Sequence, residues 1–323
     1  MTNKIPGIQP VRPDIKDFVA GVQAGVITPG PVTVTNVLDP DHQAQDVRLA
    51  PNAMPSVLLL GEQGHGKTTA IRTLLDCGFD KVFVLALEPG IADILGDTDP
   101  TKVHWAYVNP YKAKMSDLIA GYKTMQSMSY DTLQKQGHIQ RERYQQYIEV
   151  MQLCNNFKCA RTGEEFGPVS EWPTNYALVV DGLSGLNSAV QHFMIGIKPF
   201  LELRDYQAIQ NTIYEFLNCL IGDSKCFVAL MAHVAQEIDE ISNLSILTMD
   251  TIGRKLAPKL GRFFSDIILT ERVTKDDGNK FQWVTQSAKT KLKSRNLPLS
   301  KSLQPSFKPL LDAWRAKQVP KVG

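Results

Sequence analysis
Along this chain, short apolar runs closed by a glycine, a proline or a polar residue alternate with stretches whose apolar residues recur at helical spacing. The runs Val57–Leu60, Lys81–Leu87, Val103–Val108, Tyr176–Val180 and Cys226–Ala232 are too short for helices and mostly lack polar alternation. That is the signature of strands buried on both faces. Thr69–Leu75 and Asp205–Ile221 carry the helical period. Phe264–Thr270 and Phe281–Lys289 alternate instead, around the turn sequence KDDGN at Lys275–Asn279, and predict a β-hairpin. Strands interleaved with helices define an α/β protein. No internal repeat is visible.

Three stretches have a different texture. Residues 1–54 are Pro-rich and weakly periodic, an extended N-terminal arm with at most one short helix near Asp14–Ala24. Residues 111–172 predict a helical insertion, with helices over Tyr111–Leu133 and Ile139–Leu153 followed by a Gly/Pro-rich loop. Its Tyr122, Tyr130, Tyr144 and Tyr147 suit packing better than base stacking. Residues 297–323 read as a basic C-terminal tail. The stretch 289–323 holds nine Lys/Arg against Asp312 alone, a charge of +8 in a chain whose net charge is +2. Such a stretch fits a polyanion, an acidic neighbouring subunit, or a plain solvated tail.

The candidate chemistry is concentrated where the first apolar run breaks. Gly61, Gly66, Lys67 and Thr68 fill the fixed positions of G-x-x-x-x-G-K-[ST], and the whole loop runs Gly61, Glu62, Gln63, Gly64, His65, Gly66, Lys67, Thr68, Thr69. Typical residue frequencies generate this pattern by accident about once per hundred chains of this length. Here it also stands between a strand and a helix, the setting the motif requires. Glycines at these positions let successive backbone N–H groups converge on a phosphate. Lys67 would bridge the β- and γ-phosphates, and the Thr68 hydroxyl would ligate Mg²⁺. The cofactors expected are therefore ATP and Mg²⁺; GTP is disfavoured because no N-K-x-D element is present.

Two further strand tips carry carboxylates. Asp181 closes the run Tyr176–Val180 and is the candidate to order Mg²⁺. Gly182 follows it, not a second acid, so the water-activating base has to come from elsewhere, and Glu88 at the end of Lys81–Leu87 is the candidate. His233, after Cys226–Ala232, occupies a position from which a γ-phosphate could be sensed. Five cysteines without framework spacing suggest reduced thiols. Cys154 and Cys159, which His138 or Glu165 could complete as a zinc site, read more simply as packed residues. No apolar run is long enough to span a bilayer and MTNKIPGIQP lacks a signal-peptide core, so the expectation is a cytoplasmic protein with no membrane partner.

In their order GEQGHGKT, LALEPG, ALVVDGLSG, ALMAH, GRKLAPKLGRFFSDIILT and AKTKLKSR, the motifs make residues 55–296 resemble a phage family of RecA-like P-loop ATPases that includes ATP-dependent single-strand annealing recombinases. The resemblance implies a RecA-like core with a mainly parallel central sheet. It implies that Glu88 polarises the attacking water, that His233 is the sensor, and that Lys293 and Arg295 form a K-x-R pair reaching a neighbouring subunit's γ-phosphate. Arg254, Lys255, Lys259 and Arg262 would border a DNA-binding loop. The partners implied are single-stranded DNA, further copies of the chain in a ring or filament, and phage replication or recombination proteins. An assembly ATPase without DNA activity, or a P-loop kinase, are the alternatives.

Overall fold
The computed structural model describes residues 54–110, 114–136, 139–238, 245–275 and 278–318, all within one unit spanning Val47–Gly323. The arm with its helix near Asp14–Ala24, His138, and the turn centre Asp276–Asp277 lie outside the described residues.

The chain order is β1 (Ser56–Leu60), α1 (Lys67–Ala70), β2 (Lys81–Ala86), α2 (Ile91–Leu95), β3 (Val103–Tyr107), α3 (Met115–Gln126), α4 (Tyr130–Lys135) and α5 (Gln146–Asn155). There follow β4 (Tyr176–Asp181), α6 (Leu183–Ile195), α7 (Leu203–Asp223), β5 (Phe227–Ala232), β6 (Val234–Ile238) and β7 (Ser245–Met249). The last elements are α8 (Leu256–Leu260), β8 (Asp266–Lys275), β9 (Gly278–Val284) and α9 (Lys308–Gln318). Seven strands form one sheet in the order β3-β2-β4-β5-β1-β8-β9. Every neighbouring pair is parallel except β8 and β9, which form the expected hairpin. The α/β class and mainly parallel sheet are those expected.

Both faces of the sheet are covered, which is why the runs of the parallel strands are mostly apolar. Leu58, Leu60, Phe83, Leu85, Leu178, Val180, Val228 and Leu230 face a cluster with α6 and α7. Their alternates Val57, Leu59, Val82, Val84, Val179, Ala229 and Met231 face the helix after β1 and also α9. The stretch 297–323, read as a tail, thus contributes Phe307, Leu310 and Leu311 to the core, each 0% exposed. Composition hides this, because basic residues outnumber the three apolar anchors, Phe307 just before α9 and Leu310 and Leu311 in its first turn.

Other boundaries shift for local reasons. The helix after the loop is α-helical only to Ala70 and continues as a 3₁₀ turn over Ile71–Cys77, where left-handed Gly78 ends it. Tyr111–Leu133 is not one helix: α3 ends at Gln126, and Ser129 caps α4 by accepting from the Thr132 N–H. These helices and α5 lie between β3 and β4, within the stretch read as an insertion. Tyr144 and Tyr147 are buried, whereas Tyr122 and Tyr130 are exposed. The loop after α5 packs Phe157, Val169 and Trp172 into the core, with Trp172 against Phe83 at a ring-centroid distance of 4.0 Å. All five cysteines are free thiols, and burial pushes Cys154 and Cys226 up to about 12. Among the described residues no helix is long and apolar enough to cross a membrane.

Candidate phosphate-binding site
The loop leaves β1 at Gly61 and enters α1 at Lys67, and Gly64 and Gly66 hold φ of 75° and 83°, a left-handed backbone that a side chain rarely adopts. Gly61 is needed for space as well, since a Cβ there would lie 2.5 Å from the Thr270 methyl and 2.8 Å from its carbonyl oxygen. Thr270 of β8 is bound to the loop in return, its hydroxyl donating to the His65 carbonyl at 2.6 Å. Its own carbonyl stands 3.3 Å from His65 Nδ1.

Four strand tips supply the side chains. Lys67 Nζ donates to the Gly61 and Glu62 carbonyls at 2.9 Å each, and reaches His233 Nδ1 at 3.2 Å. An ammonium only donates, so Nδ1 accepts, and Nε2 carries its hydrogen to Glu88 Oε1 at 3.0 Å. Lysine, histidine and glutamate from the ends of β1, β5 and β2 thus form one chain of hydrogen bonds. Burial lowers the Lys67 pKa, opposed by the charges of Glu88 and Asp181. The His233 hydrogen bond holds Glu88 below the usual carboxylate range, against the effect of its partial burial.

At the tip of β4, Asp181 Oδ2 accepts from the Thr68 hydroxyl at 2.9 Å. Its Oδ1 is buried without a hydrogen-bond partner among the described residues. Burial raises this carboxyl to about 6, opposed first by the Thr68 bond. A hydroxyl and a carboxylate with one lone-pair face unspent are hard oxygen donors, the set that suits Mg²⁺. Gly182 explains how two acids share this corner. It has φ of 119°, and a Cβ there would lie 2.9 Å from Glu88 Cγ, so the missing side chain is the space that Glu88 occupies.

Lys293 and Arg295 are not brought to this loop. Lys293 pairs with Ile267 near the start of β8, whose partner on β1 is Leu58, so it lies back along the sheet from Gly61. Its ammonium donates to the Phe264 carbonyl at 2.6 Å. Arg295 is exposed on a turn held from below by Asp266, which accepts from the Arg295 and Asn296 N–H groups at 2.8 and 2.9 Å. Arg254 and Arg262 flank the short helix α8, and they line a cavity of about 400 Å³ together with Lys291, Lys293 and Glu237. Lys255 and Lys259 are exposed and do not line it. The sequence offered no sign that Lys293 shares a cavity with Arg254 and Arg262. It likewise missed Thr270 as a support of the loop, and Phe281 as its neighbour: the Phe281 ring would lie 3.1 Å from a Cβ on Gly66.

A scan against family models finds no match, and neither does a search of curated proteins. Among solved structures, the chain is similar to a KaiC-like protein from the archaeon Pyrococcus horikoshii OT3. The two share 12% identity over 77% of this chain and 82% of that one, with a TM-score of 0.33. It is also similar to the RadB recombinase, with 13% identity over 79% of this chain and 86% of that one, and a TM-score of 0.38. Neither likeness fixes a function.

Proposed function
We propose that this chain binds ATP with Mg²⁺ and hydrolyses it as a RecA-like ATPase, working as a ring or filament on single-stranded DNA. Strand annealing or pairing in phage recombination or replication is the activity that the motif order favours. The observation that carries the nucleotide reading is the convergence of Lys67, Thr68 with Asp181, His233 and Glu88 beside one glycine loop.

Mg²⁺, held by Thr68 and Asp181, would neutralise charge on the transferring phosphoryl group. The remaining work belongs to the chain. Lys67 is poised to exchange its carbonyl and His233 contacts for phosphate oxygens, which are stronger acceptors. His233 then loses the donor on Nδ1 and is free to turn away from Glu88. Glu88 is a weak base while it accepts from His233, because that bond favours its anion. Releasing the bond raises its basicity toward the attacking water, so phosphate contact and base activation are linked through one imidazole.

Arg254, Arg262, Lys291 and Lys293 around one cavity, against the single carboxylate of Glu237, support the polyanion part of the reading. Contacts of this kind track a phosphate backbone without reading sequence and weaken with salt. The test is phosphate release from ATP with and without single-stranded DNA at low and moderate salt, with Glu88→Gln as control. DNA should stimulate the wild type, and Glu88→Gln should keep ATP affinity while turnover falls about a hundredfold or more. Normal turnover in Glu88→Gln removes its role as base. Hydrolysis indifferent to DNA moves the assignment to an assembly ATPase.

A further inference from the structure
Where the nucleoside end of the ligand would lie can be read from the sheet. Glu88, Asp181 and His233 stand at the ends of β2, β4 and β5, all on one side of β1 in the strand order. A triphosphate whose reactive end meets these groups therefore leaves the loop toward the other side of β1, where β8 and β9 stand. There the hairpin outruns the sheet. Pairing of β8 with β1 stops at Leu60↔Leu269, while β8 and β9 stay paired to Lys275↔Gly278. The six residues from Thr270 to Lys275 carry the ribbon roughly 20 Å past the end of β1. It forms a wall beside the glycine loop.

One aromatic on this wall is both exposed and in contact with the loop. Phe281 keeps 42% of its surface open, although its ring would meet a Cβ on Gly66 at 3.1 to 3.4 Å through three of its atoms. Arg272 stands directly opposite it on β8, on the same face of the ribbon. The next aromatic on that face, Trp283, is by contrast fully buried against Phe307. We infer that Phe281 is the platform on which the base of the bound nucleotide stacks, with Arg272 at its edge; this rests on the nucleotide reading above. Stacking uses the π-face that every base has. Phe281 therefore strengthens ATP and GTP binding alike, and any preference between them arises elsewhere.

The test is the affinity of wild type, Phe281→Ala and Phe281→Trp for ATP, GTP and inorganic tripolyphosphate, each with Mg²⁺. Phe281→Ala should weaken ATP and GTP by about tenfold each and leave tripolyphosphate unchanged, while Phe281→Trp restores both nucleotides. Retained tripolyphosphate binding also shows that the variant is folded. Equal loss of tripolyphosphate and ATP would mean that the ring only props up the loop, and unchanged ATP affinity would remove the platform altogether; either result overturns the inference. If wild type binds neither ATP nor tripolyphosphate, the nucleotide reading falls first and this inference falls with it.

Discussion

Asp181 combines a functional and a structural cost in one side chain. Its carboxyl titrates near 6 because burial disfavours the anion, against 3.8 in water. The folded state thus holds this proton more tightly than the unfolded chain. The stabilisation is complete below pH 3.8 and is lost as pH rises through about 6. Measured without nucleotide, Asp181→Asn should therefore remove a downward slope worth about 3 kcal/mol and raise the urea midpoint at pH 8. It should also abolish Mg²⁺-dependent ATP binding at that pH. A variant no more stable at pH 8 than wild type would show that the anion is already compensated in the fold. Lys67, Thr68 and Asp181 were legible in the sequence because a motif or a strand tip marks them. The fit of Glu88 into the space at Gly182 was not, since two residues far apart in the chain meet there only after β2 and β4 pair.

The parallel strands of the sheet were legible because strands covered on both faces are apolar at most positions. β6 and β7 escaped because they face water on one side, and the run Gln236–Gly261 that holds most of them is polar in composition. The segment after residue 296 was misread for a similar reason, its charge outweighing Phe307, Leu310 and Leu311. Its docking can be measured. Leu311→Ala removes a side chain that is 0% exposed beneath the helix after the loop, and should cost about 2–5 kcal/mol in urea unfolding. A cost under about 0.5 kcal/mol would fit a solvated tail instead.

For the molecule as a whole, the position of Arg295 matters most. It lies on a firmly held turn beside the start of β8, back along the sheet from the loop of its own chain. A role in hydrolysis therefore requires a second copy. Arg295→Ala should leave the ATP affinity of the isolated chain within about twofold and remove the rise in turnover with protein concentration. Concentration-dependent turnover that survives the substitution would reduce residues 293–295 to a basic strand end.

β8 joins these two places. At one end Asp266 grips the turn that presents Arg295, and toward the other Thr270 is bound to the glycine loop. In a closed or helical array with Arg295 at the next copy's triphosphate, each copy would meet its own nucleotide and its neighbour's through a single stiff rod. A nucleotide lost from one copy would then be felt at the adjoining loop as a pull along that strand, and turnover would run around the array in sequence.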